Sequence, residues 1–324
     1  MVLYTFTTEP DGEPDFTVKS AVDPETVFRV QRKALINGSS VFGDMFNVCD
    51  VPEASWEDIG APQNTNVVIE ETTMNMPESS DVLQMLFRIL HEEPTPLPSA
   101  QEMTKWERLP DYWKNDPERA GPAPPIGREN AVPLPLLKPL FALADKYLLK
   151  EEIVSTLHTH LVAHAFDQPL QVYALATVLD AKDVAIFAST QLHSPPLESY
   201  SSEDLAILPS IASLHALYIL HAQRIQALRD IVANEPLFPH GYGKCTAWGH
   251  GDRAEEAWRK RKRWLLSMGR LEAGTNVAAE MLLGMKDLNG CDVCKKAFDA
   301  AIGMLQVCFH CSGSLLGVFR LLNL

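Results

Sequence analysis

The chain has 324 residues, 46% hydrophobic and 22% charged, which suits globular domains rather than a disordered or membrane class and allows one large domain or two to three smaller ones. Its net charge of −14 sets the bulk surface against a phosphate backbone, which disfavours nucleic acid as a partner. The opening "MVLYTFTTEPDGEPDF" lacks a basic n-region, and the most apolar tail, 315–324, is shorter than the ~17–25 residues of a spanning helix. The expectation is therefore no membrane, and a cytoplasmic or nuclear location.

The first elements in chain order are two short β-rich runs, Phe16 to Lys19 and Val27 to Val30. Aspartate and proline in "SAVDPET" supply the turn between them, which predicts a hairpin. Arg32 to Ile36 then reads as helix, broken at Asn37 and Gly38, with Ser39 or Ser40 placed to cap the next one. Val41, Phe42, Met45 and Phe46 recur at helical spacing and predict its buried face. "NVVIE", 66–70, is a third strand candidate. Ser79, Ser80 and Asp81 open a helix with the stripe Val82, Leu83, Leu86, Phe87 and Leu90.

From Glu92 to Pro135 the periodicity gives way to a proline- and charge-rich stretch, an insertion in which Trp106, Tyr112 and Trp113 are the residues able to dock. A helical stripe returns at Leu137, Leu140, Phe141, Ala144, Tyr147 and Leu148. Further helices are expected over Glu151 to Ala165, Pro169 to Leu179, Ala181 to Leu192 and Pro209 to Ala233, joined by short connectors that favour antiparallel packing. After Glu235 the composition turns to Gly, His, Trp and Cys.

The segment "FRVQRKALINGSSVFGDMF" resembles the signature of the BTB/POZ domain: an apolar strand, a helix ending in serine, then a helix bearing "FxxMF". Phe28 and Val30 match the strand, Leu35 and Ser39 the first helix and its end, and Phe42, Met45 and Phe46 the second helix. "NVVIEET", "SSDVLQMLFRILH" and "LLKPLFALADKYLLKEEI" resemble the elements that follow. Gln31 stands where the family commonly has histidine, and can still hydrogen-bond through its amide. The whole chain looks most like the single-BTB proteins expanded in mushroom-forming fungi, with "CTAW" and "CDVC" resembling the landmarks of their C-terminal segment. The final "VCFHCSGSLLGVFRLLNL" departs from the charged helix expected there.

The resemblance implies an α+β chain: a BTB/POZ fold over 14–165 with a 93–135 Pro-rich insertion, a helical extension over 166–235, and a Cys- and Trp-containing region over 236–324. It further implies a non-enzymatic protein–protein interaction module that homodimerises through its N-terminal elements and acts as an adaptor. Some members of the family bind cullin-type ubiquitin ligase scaffolds. The alternative is a transcription-related, DNA-associated factor using a metal-ordered C-terminal segment and the basic run "RKRKRW", 259–264. The blander reading of that run is a solvated helix face balanced by "DRAEEAW" just upstream.

Five of the six cysteines fall in the last quarter of the chain, which points to metal or free thiols more than to a disulfide framework. A structural zinc wants four soft donors, and a CxxC turn supplies two. Cys245 and His250 with Cys291 and Cys294 form one candidate set; Cys291 and Cys294 with Cys308 and Cys311 form another, although the helical "KKAFDAAIGMLQV" between its pairs would hold them apart. Buried or free thiols are the remaining reading. His158, His160 and His164 in "HTHLVAH" lack the glutamate and third ligand of a catalytic zinc motif and read as a polar helix face. No G-x-S-x-G elbow, P-loop or G-x-G-x-x-G is present, so no catalytic residue is nominated.

Overall fold

The computed structural model describes residues 1–8, 12–49, 73–92, 97–107, 131–193, 195–238, 245, 249–267, 271–283 and 291–313, excluding the side chains of 49, 104–107 and 306–313. It has mixed α and β structure and falls into two compact units. The first comprises Met1–Leu97 and Ile126–Ala163, the second Pro98–Pro125 and His164–Leu324. Residues 166–235 and 236–324 fall in the second unit.

In the first unit β2, Phe16–Ser20, and β3, Thr26–Val30, form the expected antiparallel hairpin, with Val18 opposite Phe28. Its turn closes through Thr26 N–H donating to the Asp23 carbonyl and Asp23 N–H donating to Ser20 Oγ. Strand β1, Val2–Thr5, runs parallel beside β3, and β4, Thr73–Met76, parallel beside β2. The order β1-β3-β2-β4 leaves β1 at an edge. The predicted strand at 66–70 lies outside the described residues. The polar "TMNM" of β4 carries too little apolar alternation to announce itself.

Helices α1, Arg32–Gly38, and α2, Ser40–Cys49, follow the hairpin, and α3, Ser80–His91, follows β4. Ser39 is fully buried; its hydroxyl donates to the Tyr147 carbonyl and accepts from Phe42 N–H, capping α2 as expected. Helix α3 opens where expected, but Ser79 makes no side-chain cap bond; the N–H of Ser80 donates to a carboxylate oxygen of Asp23 in the distant hairpin turn, at 2.8 Å. Aromatic rings fill the space between sheet and helices, with Phe28 near Tyr4 and Phe87, Phe16 edge-on to Phe46, and Phe42 stacked on Tyr147. Val41, Met45 and Leu90 are only half-buried on their stripes.

Helix α1 ends at Gly38, where the break is expected, and Ser39 beyond it is already extended. A Cβ on Gly38 would lie 2.3 Å from Leu90 Cδ2 and 3.1 Å from Ile153 Cδ1, so the glycine permits a close approach of helices. Gly38→Val is expected to cost about 1–3 kcal/mol through overpacking, read as a lowered denaturation midpoint.

Helix α4, Ala100–Glu107, forms inside the stretch expected to be structureless. Ser99 and Glu102 bond reciprocally, the hydroxyl accepting from Glu102 N–H and the carboxylate from Ser99 N–H, and Ala100 and Met103 are buried. Trp106, Tyr112 and Trp113 have side chains outside the described residues. Helices α5, Leu134–Lys146, and α6, Glu151–Ala163, complete the first unit. Leu148 is not part of the α5 stripe: it takes a left-handed conformation, φ 46°, is 59% exposed, and offers its carbonyl to Ser40 N–H.

The second unit continues with α7, Pro169–Val178, packed on α8, Lys182–Gln191, which also carries α4. A short helix α9, Ser202–Leu205, opens on a Ser201–Asp204 capping box. The long α10, Ile211–Asn234, then leads to α11, His250–Leu266, α12, Val277–Leu282, and α13, Asp292–Gly313. Leu228, Val232, Ala254, Trp258, Met281 and Phe298 belong to the core shared by these four helices. No helix among the described residues is long and apolar enough to cross a membrane.

Candidate metal centre

Two helix starts and one loop residue bring soft donors together in the second unit. Cys291 immediately precedes α13, its carbonyl accepting Lys295 N–H, and Cys294 sits in the first turn. Gly249, in the left-handed region at φ 68°, turns the chain so that His250 begins α11. Sγ of Cys245 and Sγ of Cys291 lie 3.5 Å apart, well beyond a disulfide bond of ~2.05 Å. The donor atoms of Cys245, His250 and Cys291 all fall within 4.8 Å of one another, the one metal-capable group of three or more such side chains among the described residues. Cys245 and Cys291 are half-buried and Cys294 is buried.

The electrostatics distinguish the two cysteines of the CxxC turn. A hydrogen bond from His250, helped by the Cys294 N–H and by Cys245, holds the Cys291 thiol down to about 6. Burial, and then hydrogen bonding with Cys291 and Cys245, pushes Cys294 up to about 12. A Cys–Cys–His cluster of this kind can hold a metal ion. The competing set is not brought together: α13 is continuous from Asp292 to Gly313, so the backbone at Cys308 lies fourteen residues, about 21 Å, along the axis from Cys294. The side chains of Cys49, Cys308 and Cys311 lie outside the described residues.

The three histidines of "HTHLVAH" do not gather, and His160 departs from the expected polar face. It is 4% exposed, its Nδ1 accepts the N–H of Val132, and His158 lies against the Phe141 ring. The basic run is largely engaged within the fold. Arg259 and Arg263 pair with Glu256 on their own helix, as the upstream acidic residues led one to expect. Beyond that expectation, Arg261 bonds both the carboxylate and the carbonyl of Glu280, while Lys262 donates to the carbonyls of Ala233 and Glu235.

Of the residues matching the family signature, Phe28, Val30, Leu35, Ser39, Phe42 and Phe46 are buried and Met45 is half-buried. Gln31 receives on its side-chain oxygen the N–H and hydroxyl of Thr8, while its own N–H donates to Nε2 of His91. Nδ1–H of His91 donates to the Phe87 carbonyl, so that ring is neutral, and burial lowers its pKa. A second buried basic group escaped the sequence reading altogether: His193 and His221 stack with centroids 6.0 Å apart, and both feel Arg224, which donates to the Ala273 carbonyl. His221 and Arg224 share α10 at a spacing of three, but no spacing signal links them to His193, which follows α8. Compared with known family models, curated proteins and solved structures, the chain matches none.

Proposed function

We propose that the chain is a non-enzymatic protein–protein interaction module of the BTB/POZ kind that homodimerises through its N-terminal elements and serves as an adaptor. Support comes from the order of elements in the first unit: hairpin, two helices, a strand parallel to the hairpin's first strand, a helix, and a closing helix pair. The observation that carries the dimer is the edge strand β1, which presents Val2 and Leu3 about half exposed, 49% and 50%, on a strand paired on one side among the described residues. A net charge of −14 favours protein over nucleic-acid partners, and the resemblance makes a cullin-type ubiquitin ligase scaffold a second candidate. This reading assigns the chain to the cytoplasm or nucleus and treats the cysteine–histidine cluster as a structural zinc centre.

Sedimentation of the full chain tests it. The wild type is expected to sediment as a dimer, and the V2D/L3D variant to self-associate at least about 100-fold more weakly, because like charges then face each other along the edge. A wild-type monomer at every concentration would overturn the proposal. Salt-sensitive DNA binding by the same protein would instead favour the DNA-associated alternative.

A further inference from the structure

We propose that Cys245, His250, Cys291 and Cys294 bind one zinc ion as a closed, four-ligand structural centre that fastens the Cys245 loop and the start of α11 to the start of α13. The proposal deepens the structural-zinc reading and does not depend on the dimer. Two thiolates on a tetrahedral zinc with ~2.3 Å bonds stand ~3.7 Å apart, and the Cys245 and Cys291 sulfurs already lie at 3.5 Å. Three donors meet within 4.8 Å. The fourth, Cys294, stands outside that converging trio, three residues after Cys291 in the first turn of α13, and the CxxC spacing lets its sulfur close the tetrahedron when the ion binds.

Donor chemistry selects the metal. Three thiolates and an imidazole are soft and nitrogenous, which suits zinc and disfavours magnesium, calcium or manganese, whose sites are built from oxygen. Four protein ligands leave no open position for water, so the centre serves folding rather than catalysis. The N–H of Cys294 bonding the Cys291 sulfur is the kind of outer contact that orients a metal thiolate. The site also adjoins a core that needs a fastening: Cys294 is 2% exposed and belongs with Trp258 and Phe298, while α12 beside them has only six residues.

The test is the metal content of the purified full chain after desalting, together with its cobalt(II) spectrum. About one zinc per chain is expected, and cobalt should give the intense visible bands of tetrahedral thiolate coordination. Cys245→Ser, His250→Ala and Cys291→Ser should each lower zinc retention by at least about tenfold, whereas Cys308→Ser and Cys311→Ser should leave it unchanged. Cys294→Ser alters a buried residue, so the cobalt spectrum of the wild type supplies the independent count of ligands. Only trace zinc, an octahedral cobalt spectrum, or loss of zinc in the Cys308 or Cys311 variant would overturn the site. None of those results alters the sedimentation of the dimer, so the two readings fail separately.

Discussion

Trp258→Ala is expected to destabilise the second unit by about 3–5 kcal/mol, one of the largest single-residue effects in the chain. The indole is 2% exposed and stands edge-on to Phe298 with ring centroids 5.0 Å apart. Its Nε1–H donates to the Glu235 carbonyl at the end of α10, so the alanine variant leaves a cavity and removes one of that carbonyl's bonds, Lys262 supplying another. Hydrogen exchange should accelerate in α10, α11 and α13, with the first unit's hairpin unchanged. A loss below about 1 kcal/mol would mean that the core is not organised around this ring. Trp258→Phe restores much of the packing but not the bond, and should fall between the alanine variant and the wild type.

Acidification is expected to weaken the same unit through His193. Burial, reinforced by Arg224 nearby, pulls its pKa from the ordinary value of 6.5 down to about 3, so the native state holds the ring neutral while the unfolded chain protonates it. A depressed folded pKa contributes full stability above 6.5, and that contribution drains away as pH falls toward 3. By pH 5 the loss from this one ring is about 2 kcal/mol. His221, lowered by its own burial, acts in the same direction, opposed by its hydrogen bond to the Leu192 backbone and by the carboxylate of Glu198. Urea midpoints compared at neutral pH and near pH 5 should show the drop, and His193→Gln should flatten it. An unchanged midpoint in the wild type would contradict the buried-neutral assignment.

Periodic packing was legible in the residues; long-range polar bonding was not. The stripes of α3 and α5, the hairpin and the serine cap at Ser39 follow from spacing and turn chemistry that act within a few residues. Helix α4 was also written locally, in the Ser99-x-x-Glu102 capping box, but proline and charge on either side obscured it. The cap that Asp23 gives α3, the bond between Gln31 and His91, and the Arg224–Ala273 contact join residues far apart in sequence, where no local pattern can reveal them. Gln31 illustrates the difference: its break from the family pattern could be seen in the chain, whereas its partners, Thr8 and His91, needed the fold.

The donor cluster lies between these cases. The CxxC at 291–294 marked Cys291, and the length of α13 decides against Cys308 as its partner. That Cys245 and His250 supply the remainder depends on how the chain between residues 250 and 291 folds, through α11 and α12, which spacing alone left open between two sets.

Native mass spectrometry of the chain reads association and metal in one spectrum. A species of two 36.0 kDa chains carrying two zinc ions is expected, reverting to metal-free dimer when a chelator removes the zinc. A single chain at every concentration, with no added metal mass, would contradict both the dimer and the zinc centre.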